Sequence, residues 1–312
     1  MKKLLILGYQ RYECMWVAHK ALEKGYAVWG WDFEAPTPTT MLGAILGDKI
    51  NQLNQQISRE ILSSSVADFL NEAQPDVVLY AQASEHSKEK LKDLDYHMQN
   101  SVHDLEVFLQ GVIAASHRPQ LILVYCSDRQ NGQDPHSQSH LLRLQKIEES
   151  RKNIPSLKAV TWGSVIGSFD FREQGLIPQL MTAILQDHVF LIRKPHSVRS
   201  FQWVEILAED LLKAMALELC KPSELPVWNL GPQSQDMHPV LSICLEFARL
   251  FGKQHLIQGS RHKSPQGLSF HPSPDTFPFY KWLSGENAHS VSLEVVLKKI
   301  AQDYRHYYGL KF

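Results

Sequence analysis

The chain lacks closely spaced cysteines. Its four, Cys14, Cys126, Cys220 and Cys244, stand far apart over 312 residues, which excludes a metal knuckle of paired thiols. Three of them sit in apolar stretches, where a thiol reads as a small buried hydrophobe. A long apolar run is also missing. Leu4 to Leu7 is too short for a signal-peptide core or a membrane span, and a polar turn follows it, so the expected location is cytoplasmic. Neither charge dominates: 32 Lys and Arg against 33 Asp and Glu leave a formal net charge of -1. No global field therefore selects nucleic acid or an anionic membrane as partner. Repeats and low-complexity tracts are absent too. With 44% hydrophobic residues, the chain has the material for one large domain or two closely packed ones.

Glycine is scarce where its absence matters most. Leu4-Leu5-Ile6-Leu7 runs into Gly8, a helical pattern follows, and a second apolar strand, Ala27 to Trp31, ends at Asp32. This strand–turn–helix–strand layout binds a dinucleotide pyrophosphate at a helix N-terminus. Glycines there allow the tight turn, the close approach to phosphate and the close helix–strand packing. Only Gly8 is present; Arg11 and Cys14 occupy the next two positions of a three-residue spacing. Arg11 either binds a phosphate as a two-pronged donor or fills the site and pairs with an acid such as Glu13. Asp32 is placed to receive adenosine ribose hydroxyls, or simply forms the turn that ends a strand. Bulky Tyr12 and Trp16 point to a site rebuilt with side chains. NAD is thus a candidate cofactor on a damaged fingerprint.

Apolar runs Lys3–Gly8, Ala27–Asp32, Asp76–Ala81, Gln120–Cys126 and Leu157–Gly163 alternate with helical patterns near Glu13–Lys24, Ser58–Ala73, Ser87–Ala114 and Ser137–Lys152. Alternation of this kind predicts an α/β protein built on a Rossmann-like, doubly wound parallel sheet. After residue 164 the rhythm changes. Helices near Ile177–Gln186, Glu205–Leu219, Pro239–Phe251 and Leu293–Tyr307 mix with short strands at Val189–Arg193, Phe201–Val204 and Val227–Leu230, and Gly259–Phe279 is loop-rich. The expected organisation is a dinucleotide-binding-type domain over 1–164 and a smaller α+β substrate-type domain over 165–312, with sites in the crevice between them.

Several segments in order resemble the extended short-chain dehydrogenase/reductases that act on nucleotide sugars. Pro75-Asp76-Val77-Val78-Leu79-Tyr80-Ala81-Gln82-Ala83 is similar to the family's third conserved strand and loop, which places Ala81 at the cofactor. Asn100 falls where the family keeps an asparagine. Ser127-Asp128 matches its Ser/Thr-Asp pair, and Gly163-Ser164-Val165-Ile166-Gly167 looks like its Gly-Asn-Val-Ile-Gly. The run from Leu191 through Arg193-Lys194-Pro195-His196-Ser197-Val198-Arg199 to Val204, with Trp228-Asn229-Leu230-Gly231-Pro232, is similar to the CDP-glucose 4,6-dehydratase branch.

That resemblance implies a tightly held NAD and a Tyr-x-x-x-Lys pair, the tyrosine as base and the lysine lowering its pKa while holding the nicotinamide ribose. In this chain His136 stands at the tyrosine position and His140 at the lysine position. An imidazole accepts a proton near neutral pH, but it is shorter than a phenol and His140 is no permanent cation. His136-x-x-x-His140, with Asp134 nearby, also has the spacing of metal ligands on one helix face; the commoner identity of such a pair is two solvated histidines, and no metal is expected. Ser127 and Asp128 keep the polar pair of the catalytic loop, with Arg129 in place of the branch's lysine; a strand-ending Ser-Asp also serves as a turn or cap.

On the substrate side the resemblance assigns Arg193 and Arg199 to the nucleotide diphosphate, Ser164 to a shorter hydrogen bond than the family's asparagine makes, and Arg261 to the nucleotide. The alternative is that both arginines pair with surface carboxylates. The sequence therefore supports a catalytically degenerate relative that binds a nucleotide or nucleotide sugar, or serves as partner subunit to an active relative. The alternatives are an active NAD-dependent dehydratase or epimerase with altered groups, and a structural protein. In the family, dimers form through the helices corresponding to Ser87–Ala114 and Ser137–Lys152, so a homodimer or heteromer is expected.

Overall fold

In chain order the elements are β1 (Lys3–Leu7), α1 (Tyr12–Glu23), β2 (Ala27–Asp32), α2 (Thr39–Leu46), β3 (Asn54–Ile57), α3 (Ser63–Ala73), β4 (Val77–Tyr80), α4 (Leu94–Ala114), β5 (Gln120–Val124), α5 (Pro135–Ser150) and β6 (Leu157–Trp162). They are followed by β7 (Ser164–Ile166), α6 (Leu176–Gln186), β8 (Phe190–Ile192), β9 (Val198–Trp203), α7 (Val204–Cys220), β10 (Val227–Leu230), β11 (Met237–Pro239), α8 (Val240–Leu250), β12 (Ile257–Gly259), α9 (Phe277–Ser284) and α10 (Leu293–Tyr308). The computed structural model describes residues 1–32, 39–47, 49, 54–57, 63–81, 94–124, 135–173, 175–231, 237–260, 277–284 and 291–310.

These residues cluster into two compact units, Met1–Thr161 with Ala208–Trp228, and Trp162–Leu207 with Asn229–Phe312. The large sheet has seven strands in the order β10-β6-β5-β4-β1-β2-β3, and the pairings from β6 through to β3 are parallel. A parallel sheet covered on both faces requires strands apolar on both sides. Accordingly every residue of β4 and β5 is buried. Leu5, Leu7, Val78, Tyr80, Leu121 and Leu123 join Phe108 and Leu109 of α4 and Ile147 of α5 in one core. The chain is an α/β protein with the doubly wound topology that the alternating pattern predicts.

The strand order reverses beside β1: the chain moves outward through β2 and β3, then returns to β4 on the other side. Ligands in such sheets bind outside the strand C-termini at this switch point. Register makes the place definite. Leu7 pairs with Trp31 of β2 and with Tyr80 of β4, so Gly8, Asp32 and Ala81 emerge level at one sheet edge. β3 is an addition that the sequence pattern does not announce. Asn54–Ile57 holds one apolar residue and joins the sheet by backbone pairing with Trp29–Asp32.

In the second unit, β9 lies between antiparallel β11 and parallel β7, and β8 pairs in parallel with β12. Its core draws on α6, α8 and α10, with Ile177, Leu180, Ile243, Phe247, Leu297 and Ile300 among its members. α10 buries Val296, Leu297, Ile300, Ala301 and Tyr304, a single helical stripe. It is capped by Ser292 and ends at Gly309 with φ 62°, a left-handed position that glycine adopts without strain. No described helix is long and apolar enough to cross a membrane.

Candidate functional site

The β1–α1 turn is built on Gly8. Its φ of 79° lies in the left-handed region, and its N–H extends the ladder by donating to the Trp31 carbonyl at 2.8 Å. Arg11 N–H donates to the Gly8 carbonyl at 3.1 Å, and the Arg11 carbonyl accepts the bond from Met15 at 2.9 Å that opens the helix. Arg11 is thus the N-cap of α1, with extended backbone and no side-chain capping bond. Its guanidinium reaches sideways instead: Nη1 donates to the Ala81 carbonyl at 3.1 Å. Ala81 N–H itself donates to the Leu7 carbonyl at 2.9 Å.

Side chains fill the rest of this turn. Tyr9 is fully buried, and its ring lies so close over β2 that a methyl group placed on Gly30 would meet ring carbons at 2.6 and 2.7 Å. Tyr12, Glu13, Cys14, Met15 and Trp16 are all buried. Cys14 takes the place of the glycine that permits close helix–strand packing, and its small side chain is buried completely. Glu13 lies in the first turn, where a carboxylate complements the positive end of the helix dipole.

A polar cluster stands beside the end of β4. Tyr80 packs against Phe108 of α4 with ring centroids 4.7 Å apart and the ring planes tilted by 34°. Arg143, from α5, is 3% exposed. Burial lowers its pKa; Tyr80 and Asp104 oppose the shift, and the neighbouring charge of Arg11 adds to it. Burial raises Tyr80 as well, and raises Asp104 against the opposing pull of His103 and Arg143. Arg143 went unremarked in the sequence pattern. The available signal was an arginine framed by Leu141, Leu142 and Leu144, on the same helix face as His136 by its seven-residue offset.

Gly8, Arg11 and Ala81 therefore converge at the switch point. Asp32 closes β2, and His136 and His140 occupy the first turns of α5, but their side chains lie outside the described residues, as do Ser127, Asp128 and Arg261. The remaining candidates belong to the second unit. Ser164 opens β7 opposite Phe201 of β9, and half-buried Arg199 lies on β9 opposite His238. Arg193 is exposed just beyond β8. Ser260, preceding Arg261, donates to the Ile192 carbonyl at 2.9 Å, so these two segments leave paired strands side by side. Gly163 admits Ser200: a methyl group on it would stand 2.4 Å from Ser200 Oγ. Of the thiols, Cys14 and Cys244 are buried and Cys220 is exposed; burial pushes Cys244 up to about 12. Cys126 lies outside the described residues. Among the described residues no group of three or more His, Cys, Asp or Glu side chains stands together to hold a metal.

No protein-family model matches the chain. The CDP-glucose 4,6-dehydratase of Salmonella typhimurium is 25% identical over 301 residues, covering 84% of this chain and 80% of that protein. The chain is therefore similar over most of its length to a nucleotide-sugar dehydratase of the extended short-chain dehydrogenase/reductase type. Solved structures carry the same fold. The UDP-glucose 4-epimerase of Stenotrophomonas maltophila, with bound NAD and formylated UDP-arabinopyranose, superposes with a TM-score of 0.79 at 14% identity, over 99% of both chains. The UDP-glucuronic acid 4-epimerase of Bacillus cereus, in complex with UDP-glucuronic acid and NAD, gives 0.75 at 19% identity, over 98% of this chain and 100% of that one. The chain thus shares the fold of these solved structures, and departs from the dinucleotide fingerprint at Arg11 and Cys14.

Proposed function

We propose that this protein is a catalytically degenerate member of its family that binds a nucleotide or nucleotide sugar, or acts as partner subunit to an active relative. The observation that carries this is the identity of two residues on α5: His136 and His140 stand where the family's chemistry needs a phenol and a permanent cation. An imidazole at either position supplies neither the reach of tyrosine nor a charge independent of pH.

The cofactor turn agrees. NAD in this fold rests on a glycine turn that lets backbone amides meet the pyrophosphate. Here Arg11 crosses to Ala81 and Tyr9 packs over Gly30, an arrangement that does not fit the group in the family's manner. The substrate segments are better kept. Arg193 and Arg199 are assigned to the nucleotide diphosphate, which guanidinium groups hold by paired donors, with Ser164 and Arg261 as further contacts.

Thermal denaturation of the purified protein with NAD, NADP, and CDP-, UDP-, GDP- and dTDP-sugars tests this. A ligand at a hundredfold its Kd adds about 2.7 kcal/mol of stability, so a shift with a nucleotide sugar and none with NAD is the expected result. The competing reading is an active dehydratase or epimerase, and Arg143 favours it by placing a fixed cation one turn beyond His140. Turnover of CDP-glucose or UDP-glucose that is lost in His136→Ala would establish that reading instead.

A further inference from the structure

We propose that Arg11 sets the selectivity of the switch-point crevice: bonded to the Ala81 carbonyl, it closes this crevice to a dinucleotide. The proposal deepens the degenerate-binder reading, because it names the residue that removes the cofactor.

A pyrophosphate at a switch point lies against the first amides of the helix that follows β1, between the ends of the two strands where the order reverses. In this chain those strands are β1 and β4, paired from Leu4↔Val77 to Leu7↔Tyr80. Arg11 is the N-cap residue of that helix, so its side chain departs from the spot where the amides would meet phosphate. Its Nη1 ends 3.1 Å from the Ala81 carbonyl, the first residue beyond β4. The guanidinium therefore spans from the rim formed by the β1–α1 turn to the rim formed by β4.

The adjoining space is occupied independently. Gly30 pairs with Ile6, and the Tyr9 ring takes the volume that any side chain at position 30 would need. Tyr9 is fully buried and follows Gly8 directly, so the turn that carries Arg11 is pinned to β2. A dinucleotide entering this crevice must break a charge-assisted bond and displace the arginine from between the strand ends. Arg193, Arg199 and Ser164 belong to the other unit.

The experiment compares the parental protein with Arg11→Gly and Arg11→Ala, using melting temperature with and without NAD, and with CDP-glucose and UDP-glucose as separate arms. Glycine is an accepted N-cap residue, so the helix start survives the change. The expected result is no NAD shift for the parental protein and a rise of several degrees for Arg11→Gly, reflecting a gain in NAD affinity of tenfold or more. Three results overturn the proposal. In one, the parental protein binds NAD as well as Arg11→Gly does, or better, making Arg11 a phosphate ligand or a bystander. In another, both variants stay folded and neither responds to NAD. In the third, both variants lose the fold, making Arg11 a structural strut. The sugar-nucleotide arms judge the degenerate-binder reading separately, since a parental shift with CDP-glucose or UDP-glucose stands whatever Arg11 does.

Discussion

The guanidinium of Arg11 and the carbonyl of Ala81 are joined by a 3.1 Å hydrogen bond across 70 residues of sequence. It ties the N-cap of α1 to the end of β4 and so fastens the two strands that flank the topological reversal. A charge-assisted bond of this kind contributes about 1.5–3 kcal/mol where it is shielded from water. Arg11 is half-buried, so Arg11→Met is expected to cost about 1–2 kcal/mol, read as a lower urea midpoint with unchanged slope. An unchanged midpoint would show that the bond carries no weight.

Gly30→Ala tests the packing of Tyr9. The added methyl would meet the ring at 2.6 Å, well inside van der Waals contact, and β2 is held by pairing on both sides. Overpacking of this kind costs about 1–3 kcal/mol. Combining Gly30→Ala with Tyr9→Leu should recover part of the loss in a double-mutant cycle. Simple additivity would place the strain elsewhere.

Lys158 of β6 and Glu218 of α7 form a buried ion pair at 3.0 Å. Lys158 Nζ also donates to the Ser223 carbonyl at 2.6 Å, and Ser223 N–H donates to Glu218 Oε2 at 2.9 Å. Removing one partner leaves a buried charge uncompensated, so Lys158→Met is expected to destabilise by about 3–5 kcal/mol. Lys158→Met with Glu218→Leu should be milder than either single change. Equal damage from the double variant would show that the pair contributes more than its own compensation.

His19 makes stability depend on pH. Burial lowers its pKa, with Lys49 and Lys20 adding to the shift and Glu23, 3.4 Å away, opposing it. A lowered value means that the unfolded chain binds more protons than the folded one between the depressed value and about 6.5. Stability from this residue is therefore complete above that window and is lost as pH falls through it. Melting temperatures from pH 5 to pH 7.5 should fall on acidification less steeply in His19→Gln than in the parental protein. Parallel profiles would rule His19 out as the source.

The central strands were legible because a parallel sheet covered on both faces needs uninterrupted apolar runs; Leu4–Leu7, Val77–Tyr80 and Leu121–Val124 leave little alternative. Helix α10 was equally plain, since its apolar stripe and the terminal Gly309 are local features. β3 was not, because Asn54–Ile57 is a strand only by borrowing backbone partners from β2. Short β7, β11 and β12, three residues each, depend on their neighbours in the same way.

Residue identity alone carries the departures from the expected motifs: a glycine turn reduced to Gly8, and histidines at positions 136 and 140 where the resemblance implies tyrosine and lysine. It also determined the doubly wound class, through the periodicity that the central strands and their helices express locally. What Arg11 does was a tertiary matter. From sequence it had two destinations, a phosphate or a nearby acid such as Glu13, and the described bond goes to the backbone of Ala81. The burial of Arg143 beside Tyr80 was likewise decided by how α5 and α4 meet the sheet. Local sequence sets which conformations a segment prefers; the direction of a long charged side chain is settled by which distant carbonyls and charges the fold brings within its reach.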